Sequence, residues 1–160
     1  GRDAAKTKAM MEQLSTNGKY EITADMKEFM KDFCAGYADM EENAKEIRKV
    51  FDDTGYLIDT HTGVAAAVYE QYKAKTGDTT KTLIASTASP FKFSASVLDA
   101  LGKKPADGTD EYDMVELLHE VSSMEIPQSL AALKTKPRRF DGSIDKSEMQ
   151  QFVLQELHLS

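Results

Sequence analysis

Residues 83–93, LIASTASPFKF, hold the densest collection of reactive side chains in the sequence. Three hydroxyls, Ser86, Thr87 and Ser89, follow the apolar run Leu83, Ile84 and Ala85; Pro90 then stops any strand. Hydroxyls at the carboxyl end of a buried strand stand where open α/β sheets bind ligands. Lys92 sits between Phe91 and Phe93. That setting admits two readings. A lysine desolvated by phenylalanines can become a Schiff-base nucleophile. Alternatively, its stem lies along an apolar turn while the amine stays in water.

A second candidate is His61, in DTHTG. At a helix start it would meet unpaired backbone N–H groups and partial positive charge, which suit phosphate or carboxylate. The plainer alternative is a capping run in which Asp59, Thr60 or Thr62 closes the first turn. His119 and His158 lie far from His61 and from each other, with no cysteine nearby, so no metal site is expected. Structural or surface roles suit both. Asp52–Asp53 and Glu41–Glu42 fall in helical or turn positions and read as solvated. Phosphate-binding glycine loops, a nucleophile elbow and dinucleotide-binding glycines are all missing. The residues alone therefore make no complete catalytic set.

Helices must position these groups. Residues 3–16 suit a first helix, ending at the TNGK turn; YEI at 20–22 is too short to establish a strand. Thr23 or Asp25 then caps a helix whose Met26, Phe29, Met30 and Phe33 form one buried stripe. A third helix over 39–52 turns Met40, Ala44, Ile47, Val50 and Phe51 inward. GVAAAVYEQYKAK follows, closed by Gly77; its small first-turn residues let another backbone or a ligand approach closely. TLIAST at 82–87 is expected to be a buried strand. Beyond it come helices in SASVLDALG, EYDMVELLHEVSSM, PQSLAALK and, capped by Ser143 or Asp145, the terminal segment. One strand cannot make a sheet. Either the chain is essentially all-α, or its strand belongs to a sheet whose other strands lie elsewhere.

Composition bounds the function classes. The 160 residues suggest one domain or a piece of a larger one, and 41% are apolar, enough for a real core. A net charge of −7 argues against nucleic acid, whose binders present a basic face. KTKPRR at 134–139 is short and broken by Pro137, as in a solvated connector. Cys34 is the single cysteine, so no internal disulfide can form and a reducing, cytoplasmic setting is the natural expectation. Neither a membrane span nor a secretory signal is evident. The chain opens on Gly1, not methionine, which fits a fragment.

Two stretches together carry a family resemblance. DTHTGVAAAV, followed some twenty residues later by STASPFKFSASVLDALG, resembles the C-terminal part of threonine synthase, a pyridoxal-phosphate enzyme. The family pattern runs Asp-x-His-Thr-x-Val-Ala, then Thr-Ala-His-Pro-x-Lys-Phe, then a helix ending in Leu-Gly. IPQSLAALK resembles a segment near the end of family members, and the similarity covers roughly residues 50–135. Ser89 replaces the usual histidine of Thr-Ala-His-Pro, and Phe91 occupies a position that is often small.

The resemblance implies an α/β fragment, predominantly helical with one or two strands. It would be the C-terminal part of a fold-type II, tryptophan synthase β-like enzyme, over residues 1–135, with a helical extension over 136–160. The parent would convert O-phospho-L-homoserine and water to L-threonine and phosphate, in amino-acid biosynthesis, as a lyase. The family's cofactor-bonded lysine lies in its first half, in a Ser-Phe-Lys-Asp type motif that nothing here matches. Lys92 is therefore not that lysine, no catalytic residue is assigned to this chain, and the piece alone is expected to be inactive. Thr87, with Ser86 beside it, is expected to face the cofactor ring, Thr87 at the pyridine nitrogen. A neutral hydroxyl there leaves that nitrogen largely unprotonated, where a carboxylate would hold its proton.

Two other readings compete: a non-catalytic helical module that binds a protein partner, and a non-catalytic relative of the same fold. A self-contained module should cover every apolar stripe. A fragment should leave a strand edge or apolar patch exposed and able to pair copies of itself.

Overall fold

The computed structural model describes residues 2–159; Gly1, and Ser160 at the end of the expected terminal helix, lie outside the described residues. Eight α-helices occur among the described residues: α1 Ala4–Asn17, α2 Ala24–Phe29, α3 Met40–Thr54, α4 Thr60–Thr76, α5 Ser94–Ala100, α6 Glu111–Ser122, α7 Gln128–Ala131 and α8 Met149–Glu156. Short 3-10 turns precede α5 at Pro90–Phe93, continue α7 at Ala132–Thr135 and precede α8 at Lys146–Glu148. No helix is long and apolar enough to cross a membrane among the described residues.

The core lies around α5. Val97 and Leu98 are wholly buried there, against Ile47 of α3, Ala66 of α4, and Val115 and Leu118 of α6, with Leu57, Ile58 and Phe91 closing the gaps. Each of the larger side chains contributes about 1.5–3 kcal/mol by leaving water. That burial explains how a helix as short as α5 persists, since helices this short are marginal by themselves. Its end is fixed twice. Gly102, at φ +69°, turns the chain so that Lys103 N–H reaches the Leu98 carbonyl at 2.8 Å. Arg48 of α3 donates through Nη2 to the Leu101 carbonyl at 2.6 Å.

The small first turn of α4 does what its composition suggests. A Cβ on Gly63 would stand 2.8 Å from Ile47 Cγ1 and collide with Asn43 Oδ1, so glycine is what lets α3 lie this close. Asn43 Oδ1 is buried at that contact without a hydrogen-bond partner. Capping follows the sequence as well. Asp39 and Glu42 make a capping box on α3, Asp59 caps α4, and Gly55 and Gly77 end these helices in the left-handed region.

Three expectations are corrected. TLIAST forms no strand, and no strand occurs among the described residues. Residues 77–89 form no helix or strand, and Leu83 is 94% exposed. A lone extended segment has no ladder to join, so its backbone groups turn to solvent. The expected one or two strands of an α/β fragment are thus not observed here. YEI is irregular too. The Met26–Phe33 stripe is not buried: α2 ends at Phe29, and Phe29 and Phe33 are 76% and 77% exposed. With no residue of α2 buried, its amphipathic pattern lacks the tertiary contact that stabilises short helices. Met40, on the first turn of α3, is 90% exposed, while Ile47 is buried and Ala44, Val50 and Phe51 are half-buried as expected. Helices α1, α2 and α8 bury no residue.

Candidate functional site

The first turn of α4 and the loop 86–93 meet around Asp59, whose side chain is wholly buried. One carboxylate oxygen, Oδ2, accepts from His61 N–H at 2.9 Å and lies 3.1 Å from His61 Nδ1. The other, Oδ1, accepts from Thr62 N–H at 3.3 Å and from the Thr62 hydroxyl. Thr62 Oγ1 in turn lies 3.2 Å from Ser86 Oγ. A hydroxyl has one proton to give. With Thr62 donating to Asp59, Ser86 donates to Thr62, and the chain of protons runs inward from Ser86 to the buried carboxylate.

The opposite end of the loop is held by packing. The His61 ring lies 4.9 Å, centroid to centroid, from Phe93 and is tilted by 57°. Phe91 is buried beside it in sequence, Pro90 is buried too, and Ser94 Oγ donates to the Phe91 carbonyl at 2.9 Å. Ser86 and Phe93 thus anchor both ends of a loop in which Thr87, next to Ser86, is exposed. Thr87 forms no part of the Asp59 network; of the two expected ring-facing hydroxyls, only Ser86 is joined to it.

Burial by itself pushes the Asp59 carboxyl up. The hydrogen bonds from the Thr62 hydroxyl, the His61 backbone and ring, and the Thr62 backbone outweigh it and hold the group below its ordinary value of 3.8. A carboxylate depressed in the folded state adds stability that is complete above the unfolded value and lost as pH falls through the folded one. Unfolding of the chain in urea is therefore expected to show a stability loss setting in below about pH 4–5, part of which disappears in Asp59→Asn. An Asp59→Asn chain with an unchanged acid limb would remove this carboxylate from the account.

Asp59 also decides between the two readings of the helix start. Its oxygens already take the N–H groups of His61 and Thr62, so these donors are not open to a phosphate. His61 is held at Nδ1, and its side chain is 65% exposed. Lys92 is exposed while Phe91 is buried, which matches an amine kept in water rather than a desolvated nucleophile. Lys92, Phe93, Met114, Val115 and Leu130 line a groove of about 370 Å³ between the loop and α6. His119 has a structural task, its Nδ1 lying 2.5 Å from the Met124 carbonyl just past α6. No group of three or more His, Cys, Asp or Glu side chains is arranged to hold a metal among the described residues. Sequence reasoning found the participants but not the Thr62–Ser86 and His61–Phe93 links, which join residues 24 and 32 positions apart. The spacing of DTHT, which puts an Asx cap, a ring and a hydroxyl on one turn, was the available signal.

Comparison with known proteins agrees with the resemblance. The family model described as "Threonine synthase, C-terminal" matches residues 62–153, more than half of the chain. Threonine synthase of Methylobacillus glycogenes is 27% identical, across 98% of this chain and 29% of that protein. Human threonine synthase-like 1 is 24% identical, across 95% of this chain and 21% of that protein. The crystal structure of PLP-bound threonine synthase from Brucella melitensis superposes with a TM-score of 0.54 at 29% identity, covering 72% of this chain and 25% of that one. This chain spans less than a third of the length of these relatives. On the family match, which takes in His61's neighbour Thr62, the whole hydroxyl loop and α5 to α7, the chain belongs to the threonine synthase C-terminal family.

Proposed function

We propose that the chain is the C-terminal portion of a threonine synthase and supplies one wall of its pyridoxal-phosphate site. The whole protein then converts O-phospho-L-homoserine and water to L-threonine and phosphate. Residues 1–135 belong to the cofactor-binding region and 136–160 to a helical extension, although the family match runs on to residue 153. A setting in the cytoplasm follows from the same reading.

The observation that carries this reading is the anchored hydroxyl loop. Its donor chemistry fits one edge of the cofactor: the neutral Thr87 hydroxyl, on a loop that Ser86 ties to α4 through Thr62, suits a pyridine nitrogen. A phosphate cradle and a reactive amine are not part of this wall; Lys92, within the anchored loop, is exposed. When bound, the cofactor supplies the electron sink that lets phosphate leave the substrate. This chain's residues orient the ring edge and border the cleft. The uncovered apolar side chains support a piece of a larger fold over a self-contained interaction module, which would bury Phe29, Phe33 and Leu83. The same exposure leads us to propose that the chain pairs with copies of itself through 83–84. Sedimentation should show concentration-dependent association that Leu83→Lys abolishes; a monomer at all concentrations would refute it.

Two measurements test the assignment. The full-length protein loaded with pyridoxal phosphate should release inorganic phosphate from O-phosphohomoserine, and the 160-residue chain should release none. Incubation of the chain with pyridoxal phosphate, borohydride reduction and mass spectrometry should find no stoichiometric adduct on Lys92. A stable adduct there would overturn the view of this chain as a wall without the reactive amine.

A further inference from the structure

We infer that Asp59 and His61 form an oriented carboxylate–imidazole pair that makes His61 a proton-transfer residue of the site, a role resting on the function proposed above. Asp59 Oδ2 stands 3.1 Å from Nδ1, and the carboxylate is buried, ionised and further held by Thr62. An ionised carboxylate accepts only, so Nδ1 carries the proton and Nε2 is left as the free base, directed away from Asp59. Phe93 packs on the ring and restricts its rotation. The same carboxylate anchors Ser86 through Thr62, which sets the imidazole beside the hydroxyl loop.

Capping explains the two backbone hydrogen bonds to Asp59. It explains neither the ring bond nor the meeting of α4 with a loop from a different part of the chain. A base with a fixed tautomer is what the proposed reaction requires after phosphate has departed, when water adds across the substrate's Cα–Cβ double bond. The water oxygen bonds to Cβ and keeps the pair of the O–H bond that breaks. The proton passes to His61 Nε2, the double-bond pair moves to Cα, and Nε2 returns the proton to Cα. One water is consumed and the imidazole is restored, Asp59 stabilising its cationic form in between. Asp59 acts through His61 and is a positioning residue.

The test has two arms. In the ¹⁵N-labelled chain at pH 8, long-range ¹H–¹⁵N spectra should show His61 protonated at Nδ1 and bare at Nε2, the minor form of free histidine. Asp59→Asn, with helicity checked by circular dichroism, should abolish that preference. A wild-type His61 protonated at Nε2 would overturn the pair. In the full-length enzyme, His61→Asn places an amide nitrogen where Nδ1 stood, preserving the bond to Asp59 while removing the outer base. It should lower kcat by about 100-fold or more with KM within about threefold. Equal kcat in His61→Asn and His61→Gln, both undiminished, would overturn the role while leaving the proposed function intact. A wild-type enzyme that releases no phosphate would instead remove the functional reading and the role together, and the tautomer measured in the chain would show which premise failed.

Discussion

Leu98→Ala is expected to destabilise the chain by about 2–5 kcal/mol, read from the shift of its urea midpoint. Leu98 is wholly buried on α5, the element against which both α3 and α6 pack. Its removal loses the transfer energy of the side chain and leaves a cavity that the surrounding helices cannot close without losing contacts of their own. Marginal stabilities of about 5–15 kcal/mol make such a loss severe. Leu157→Ala, at an exposed position after α8, is the control and should stay within about 0.5 kcal/mol. Similar shifts for the two variants would show that the core does not centre on α5.

Local signals made much of this fold legible. Asp39, Asp59, Asp110 and Asp145 cap their helices as short acidic side chains at helix starts should, and Gly55 and Gly77 end theirs. These devices act within one turn, so a sequence displays them complete. Amphipathic spacing succeeded for α3 beyond its first residue and failed for Met26, Phe29, Met30 and Phe33, although the pattern is equally regular in both. Periodicity states which face wants burial; whether a partner covers it is decided elsewhere. α3 has α4 and α5, whereas α2 buries no residue.

The segment TLIAST illustrates the same limit. Its apolar run and β-branched residues point to a strand, and strand formation needs a neighbour for its N–H and C=O groups. Within the described residues none is available, so the segment is irregular and exposed. The site was legible in its residues and not in its wiring. Asp59 was a candidate cap and His61 a candidate ligand, but the carboxylate's second task, joining ring and loop, depends on the approach of Ser86 and Phe93 through the fold. No spacing rule encodes that approach.

Replacing Thr87 by aspartate in the full-length protein should reduce phosphate release from O-phosphohomoserine at least about tenfold more than Ser89→Ala does. That difference corresponds to about 1.4 kcal/mol in the barrier. Thr87 is an exposed residue next to Ser86 in a loop anchored at Ser86 and Phe93, where a substitution need not disturb the core. A hydroxyl facing a pyridine nitrogen can donate to it and leaves it neutral; a carboxylate can only accept, and so keeps that nitrogen protonated. Aspartate thus changes the electronic character of the ring with a side chain of similar size. Ser89 sits where family members have histidine, and it precedes the buried Pro90 that begins the turn into α5. Alanine there removes a hydroxyl that makes no side-chain cap to the turn, so its effect should be small. Cofactor absorbance separates the causes: Thr87→Asp should retain bound cofactor with a shifted spectrum, while Ser89→Ala should leave the spectrum unchanged. Small and equal effects on turnover, with identical spectra, would take Thr87 away from the ring nitrogen.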